Sequence, residues 1–173
     1  TTEIYTLSLH DALPISVIGG GFAGVAAALA AARGGAKVLI VEKSNCLGGA
    51  AVNCLVNPFM PYWTAIDGKR VELSTGIFKE IHDRLGERNA MKKESFLEEE
   101  LKYILNGMVI EANIDLLFHA YIFRANTCAD RIVSVTVATK SGEMQIGSKP
   151  RTPTAVYLTR SLPSLCCLAP RRL

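Results

Sequence analysis

The sequence has no run of the roughly 18–20 uninterrupted apolar residues that a membrane-spanning helix requires. Its most apolar stretches, Ser16–Ala32 and Val38–Val41, are interrupted or bounded by Gly19, Gly20, Gly21, Gly24 and Arg33, so no transmembrane helix is expected. Histidine is scarce, at three residues, and the five cysteines (Cys46, Cys54, Cys128, Cys166 and Cys167) show neither C-x-x-C nor His-paired spacing. That argues against a zinc site or a disulfide framework and fits a reducing compartment. The amino end lacks the basic region and small-residue cleavage site of a secretory peptide, which leaves a cytoplasmic location as the default. Acidic residues are missing after Glu143, where Lys149, Arg151, Arg160, Arg171 and Arg172 remain. The whole chain carries +3, whereas residues 1–143 hold 14 basic and 16 acidic side chains, a balance of −2. The positive charge is thus a property of the tail, without aromatic interleaving or a binding motif, and no nucleic-acid partner is expected.

What is present fits one globular domain: 173 residues, 49% hydrophobic and 20% charged, are enough for a real core. Both ends look foreign to the middle. Read as codons, Thr1–Ile15 resembles the translation of a short-read sequencing adapter, and it is set aside as a non-native segment. The expected organisation is therefore residues 1–15 as adapter-like sequence, 16–149 as a partial nucleotide-binding domain, and 150–173 as an atypical tail.

Ser16-Val-Ile is a short apolar strand ending in a glycine cluster, and the Ala-rich Phe22–Arg33 favours helix until Gly34-Gly35 stops it. Lys37-Val-Leu-Ile-Val-Glu42 reads as a buried parallel strand, which makes the unit βαβ. From Lys43 to Ser74 the period is lost among Gly48, Gly49, Pro58, Pro61 and Gly68, and a long loop is expected. Ile77, Ile81 and Leu85 predict a short helix. A longer one is expected over Ser95–Ala112, with Leu97, Leu101, Ile104, Leu105, Met108 and Ala112 on one stripe and a capping box from Ser95 to Glu98. Asn113–Arg124, Arg131–Thr139 and Met144–Ile146 then read as strands of a β-meander. The fold class is α/β: a Rossmann-like FAD/NAD(P)-binding βαβ core with a β-meander insertion, incomplete.

Gly19-Gly20-Gly21-Phe22-Ala23-Gly24 satisfies G-x-G-x-x-G, a weak signal alone. Here it follows a strand, opens a helix, and precedes a second strand ending in Glu42, eighteen residues past Gly24. Gly19 would permit the tight turn, Gly21 would leave the backbone bare towards a pyrophosphate, and Gly24 would let the helix pack on the strands. Unpaired N–H groups around Phe22 and Ala23 would face the phosphates. Glu42 could accept from both ribose hydroxyls and would disfavour a 2′-phosphate. The same fingerprint serves NAD and FAD.

The run VIGGGFAGVAAALAAARGGAKVLIVEKSNCLGGAA resembles the amino-terminal segment of glutathione-reductase-like and fumarate-reductase-like flavoproteins, among them the bacterial FAD-dependent oxidoreductases. That resemblance implies FAD as cofactor. In it Lys43 matches the basic residue after the acid, Gly48-Gly49 the doublet that passes close to FAD, and Ala50, Ala51 and Asn53 the chain beyond it. The backbone around Ala120–Ile122, with Tyr121 at its centre, would pass the adenine. The resemblance covers roughly Ser16–Lys149. The family then returns to the sheet with an A-T-G-D-like signature, which KPRTPTAVYLTRSLPSLCCLAPRRL lacks, and this suggests a frame error or chimeric join near Lys149–Arg151. The expected activity is FAD-dependent oxidoreduction of an unknown substrate, with this fragment inactive alone. The alternatives are an NAD-binding Rossmann enzyme and a non-catalytic nucleotide-binding module.

No catalytic acid or base can be named from the sequence. Cys46 and Cys54 flank the glycine doublet, but Cys46 precedes it, unlike the paired cysteines of the disulfide reductases; ordinary thiols are expected. His82 and His119 have no visible partner. Phe59, Met60, Tyr62 and Trp63 lie where the family builds around the flavin, and they could equally be the loop's own hydrophobic anchor.

Overall fold

The structure, a computed structural model, describes residues 15–128, 131–147 and 156–158. Of the adapter-like segment 1–15 only Ile15 is described, within the first strand; residues 1–14, the expected join at Lys149–Arg151, Cys166, Cys167 and the tail arginines lie outside the described residues. In chain order the elements are β1 (Ile15–Ile18), α1 (Phe22–Arg33), β2 (Val38–Val41), α2 (Ala50–Asn53), β3 (Trp63–Ile66), β4 (Lys69–Glu72), α3 (Ile77–Glu87) and β5 (Met91–Lys92). They continue with β6 (Ser95–Phe96), α4 (Glu98–Glu111), β7 (Asp115–Leu117), β8 (Tyr121–Cys128), β9 (Arg131–Thr139), β10 (Gly142–Gly147) and β11 (Val156–Leu158).

A four-stranded parallel sheet of order β11-β1-β2-β7 forms the centre. All four residues of β2 are buried, as a strand covered on both faces requires. Side chains alternate between the faces. Val17, Val38 and Ile40 point into a core shared with Val25 and Leu29 of α1, Ile81 and Leu85 of α3, and Leu101, Leu105 and Met108 of α4. Ile18, Leu39 and Val41 point the other way, onto Ile122, Val135, Val137 and Ile146 of the β10-β9-β8 meander. The sheet is thus held between a helical layer and a meander, with each fully buried aliphatic side chain contributing about 1.5–3 kcal/mol. The α/β class and the meander agree with the sequence reading.

Helix α1 buries Gly24, Val25, Ala28 and Leu29 on one face, at the i, i+1, i+4, i+5 positions of a 3.6-residue period. It stops where Gly34 donates to Ala30 O and Ala31 O, and Gly35 turns at φ +87°.

Four local expectations are corrected. The long loop after Glu42 contains α2 and an antiparallel β3–β4 hairpin. The second long helix begins at Glu98, not Ser95. Its N-cap is Leu97 with no side-chain cap, because Ser95 and Phe96 pair with β5 instead. Leu97 leaves the expected stripe and is exposed. The strand expected over Asn113–Arg124 is two strands, β7 and β8, separated by a turn in which His119 has φ +54°. Finally, β11 rejoins the parallel sheet beside β1, without the acidic signature.

Candidate functional site

The carboxyl ends of β1 and β2 meet the amino end of α1, and the glycine cluster makes the connection. Gly19 turns at φ +100° and donates to Val41 O at 2.8 Å, tying the turn to β2. Gly20 has far less room than Gly21. A Cβ on Gly20 would lie 2.6 Å from Leu47 Cδ2 and 3.2 Å from Glu42 Cγ. The fingerprint treats this position as free, so sequence reasoning missed that the fold needs glycine here. A glycine at the motif's free middle position was the available signal.

Gly21 is the N-cap of α1, with ordinary extended dihedrals and no side-chain cap, and the first turn holds no acid. The N–H groups of Phe22, Ala23 and Gly24 begin the helix without intrahelical acceptors, the usual state of a first turn. Gly24 is buried against the sheet, whereas Ala23 is exposed. A Cβ on Gly21 would meet nothing closer than Gly49 Cα at 4.0 Å. Among the described residues nothing therefore demands glycine at 21. A group approaching from outside would.

The second glycine motif packs directly on the first. Gly48 N–H donates to Gly20 O at 2.8 Å, and Gly21 and Gly48 form a parallel bridge. Gly49, at φ +57°, would bring a Cβ to 3.0 Å from Gly21 Cα. Ala50 follows at the start of α2, exposed. Two glycine segments 27 residues apart in sequence (Gly21 to Gly48) thus form one bare-backbone cradle.

Glu42 lies just past β2 and is 6% exposed. Its Oε2 accepts from Gly20 N–H at 2.5 Å, and its Oε1 accepts from Ser44 N–H at 2.8 Å and Ser44 Oγ–H at 2.6 Å. The β7–β8 turn is tied to the same strand end. Glu42 N–H donates to Leu117 O, Ala120 N–H to Glu42 O, and His119 N–H to Ser44 O. Ile18, Gly19, Val41, Glu42, Lys43, Ala120, Tyr121 and Ile122 line a small cavity of about 40 Å³. A space of that size admits water but not a purine ring. Lys43 is exposed, and Tyr121 is half-exposed.

Beside the cradle, Phe59 is the hub of an aromatic cluster, with edge contacts to Phe22, Tyr62 and Phe78 and a tilted contact to Phe96 at 4.5 Å. For Phe59 and Tyr62 the structure shows the anchoring arrangement. Tyr62 is buried and its hydroxyl is hydrogen-bonded to His82 Nε2 at 2.9 Å, a partner the sequence did not reveal. Arg70 covers the Trp63 ring at 4.7 Å, while Met60 is exposed. Cys46 and Cys54 are free thiols, the first buried and the second exposed.

A wide groove of about 950 Å³ lies elsewhere, between α3 and α4. Its cations are already matched: Lys79 with Asp83, Arg84 with Glu80 and Glu111, Arg88 with Glu100. Hydrogen bonds from Lys79 and Arg84 hold the Asp83 and Glu111 carboxyls below their ordinary range, against a smaller opposing effect of desolvation. This is an ion-pair lattice joining two helices, and its lining holds more acids than cations, so it offers no surplus positive charge. Among the described residues no three His, Cys, Asp or Glu side chains could hold a metal ion, and no helix is long and apolar enough to cross a membrane.

A family model for FAD dependent oxidoreductases matches residues 14–149. The chain belongs to that family. Over 46 residues the chain is 52% identical to a vinyl phenol reductase of Lactiplantibacillus plantarum, covering 27% of this chain and 9% of that protein. The fold resembles a 3-ketosteroid-Δ4-(5α)-dehydrogenase from Rhodococcus jostii RHA1, solved with 4-androstene-3,17-dione. The TM-score is 0.59 at 14% identity, covering 90% of this chain and 47% of that one. At that identity the likeness is one of fold. The FAD dependent oxidoreductase chain described here spans less than half the length of either protein it matches.

Proposed function

We propose that this chain binds the ADP half of FAD in the glycine cradle and, as part of a complete flavoenzyme, serves oxidoreduction of a substrate yet to be identified. The observation that carries the proposal is the unfilled space in front of Gly21. The fold leaves a bare backbone at an uncapped helix amino terminus, with no atom of the described residues that requires it to be bare. An anion there would meet the N–H groups of the first turn and the positive end of the helix dipole, without a basic side chain. Gly19, Gly24, Gly48 and Gly49 shape the cradle, and Phe22 and Ala23 supply backbone donors. Ala50 and Lys43 border it. Glu42 would take the adenosine ribose, and the chain around Tyr121 would lie along the adenine. A bound flavin supplies two-electron redox chemistry; the protein supplies position and electrostatics.

The test pairs two substitutions in the same motif. Gly21→Ala adds a methyl into open space, so stability should change by less than about 1 kcal/mol, the usual scale of an N-cap change. FAD binding, followed by equilibrium dialysis and flavin absorbance, should fall at least tenfold. Gly20→Ala should instead destabilise the fold. A wild-type protein that binds no FAD, or a Gly21→Ala variant that binds it undiminished, would sink the proposal. Retention of NAD with rejection of FAD would select an NAD-binding enzyme in its place.

A further inference from the structure

We propose that Glu42 engages one ribose hydroxyl of an adenine nucleotide, not two, because Ser44 occupies the carboxylate oxygen that the second hydroxyl would need. The inference rests on the nucleotide reading above and narrows it. An ionised carboxylate offers about four acceptor positions on its two oxygens. On Glu42, Oε1 takes both donors of Ser44, at 2.8 and 2.6 Å, and Oε2 takes the Gly20 N–H. One position remains, and it is on Oε2.

Ser44 is itself held in place. Asn53 Nδ2 donates to Ser44 Oγ at 3.2 Å, and the Cys46 thiol donates to Asn53 Oδ1 at 3.4 Å. With Asn53 donating to it, the Ser44 hydroxyl has its single proton directed at Glu42. The donors run in one direction, from Cys46 through Asn53 and Ser44 to the carboxylate. Asn53 sits at the end of α2, directly behind Gly49, so the acid is oriented from the second glycine segment as well as the first. Nor can the carboxylate turn away to free a second position: it is 6% exposed, and any rotation breaks hydrogen bonds to Gly20 or Ser44. Such a rotation would exchange one hydrogen bond to the carboxylate for another and leave the displaced Gly20 or Ser44 donor unpaired, so it is a net cost.

The two ribose hydroxyls therefore become unequal, and analogues lacking one or the other report it. Binding of ADP, 2′-deoxy-ADP and 3′-deoxy-ADP is measured by titration calorimetry on the wild-type protein, Glu42→Ala and Ser44→Ala. One deoxy analogue should bind about 10- to 100-fold more weakly than ADP, the range for losing a hydrogen bond to a charged group, and the other within about twofold of it. Ser44→Ala vacates a position on Oε1 while keeping the backbone donor of residue 44. In that variant the formerly indifferent analogue should also fall behind ADP. Equal weakening of both analogues in the wild type, or an analogue that stays indifferent in Ser44→Ala, overturns the inference. If Glu42→Ala still weakens ADP in that case, the nucleotide reading stands. ADP that fails to bind, or binds Glu42→Ala as well as wild type, overturns both.

Discussion

Replacing Gly48 by alanine adds one carbon where the fold has room for none. Gly48 has φ +106°, and a Cβ there would lie 2.5 Å from Val52 Cγ2 and 3.2 Å from Val52 Cβ, with Leu105 Cδ1 next at 3.5 Å. Val52 cannot step aside easily. It is β-branched, it sits in a helix where one χ1 rotamer dominates, and it is 5% exposed within the core that contains Leu105. Strain at a positive φ costs about 1–3 kcal/mol, and overpacking costs about as much again. The expected loss is about 2–6 kcal/mol, a large share of the ~5–15 kcal/mol that holds a typical domain. Because Gly48 N–H bonds Gly20 O, the displacement passes straight into the cradle, and FAD affinity should fall with stability.

Urea unfolding measures the loss as a lower midpoint at unchanged slope. Val52→Ala separates its two causes. Alone it opens a cavity costing about 1–3 kcal/mol, but combined with Gly48→Ala it removes the methyl that the new Cβ meets. The double variant should therefore be more stable than the sum of the singles by about 1–3 kcal/mol, with the φ strain left over. Additivity within about 0.5 kcal/mol would refute the contact with Val52. A Gly48→Ala cost under about 1 kcal/mol would refute both causes.

Other perturbations test the layers around the cradle. Tyr62→Phe removes the hydroxyl bonded to His82, and because His82 is only half-buried and can turn to water, the cost should be about 0.5–1.5 kcal/mol, with faster hydrogen exchange in the β3–β4 hairpin. Phe59→Ala empties the centre of the aromatic cluster; partial exposure of Phe59 puts the expected loss at about 2–3 kcal/mol, below that of a fully buried phenylalanine, read from thermal unfolding. Glu111 titrates below its ordinary value of 4.5 because Arg84 bonds it, so its contribution is present above that value and disappears as pH falls through the lowered one. Stability curves of wild type and Glu111→Gln should accordingly run apart near neutral pH, by a gap that added salt narrows, and converge below pH 4.5.

The βαβ unit was legible because its signals are local. A continuous β-branched run such as Val38–Val41 fits only a doubly covered strand, and a glycine cluster between strand and helix fits few turns. The hairpin was not read, although Asp67-Gly68, with φ +52° and +74°, is a strong two-residue turn signal. Its strand Lys69–Glu72 is exposed throughout, so no apolar alternation marks it. Ser95 shows the opposite failure, a clear local signal overridden by tertiary pairing. Phe96 is 3% exposed, donates its N–H to Asn57 O and stacks on Phe59, and these contacts hold Ser95-Phe96 extended. A capping box is worth about 1 kcal/mol, and burial of a phenylalanine exceeds it.

Within the site, the three consecutive glycines separate two demands that the sequence merges. Gly20 is bare because Leu47 and Glu42 leave no room for a side chain, and Gly19 because the turn needs a positive φ. Those are requirements of folding. Gly21 has ordinary dihedrals and clearance of 4.0 Å, so folding makes no such demand there. A sequence motif records all three alike, since it shows that a side chain is absent and not what excludes it. The coordinates assign a cause to the first two, and Gly21, with none among the described residues, is the position at which the proposed anion is to be tested. The same reasoning explains why the surroundings of Glu42 were invisible: Ser44 and Asn53, nine positions apart, look like loop polar residues until the fold brings Asn53 onto the Ser44 hydroxyl and Ser44 onto the carboxylate.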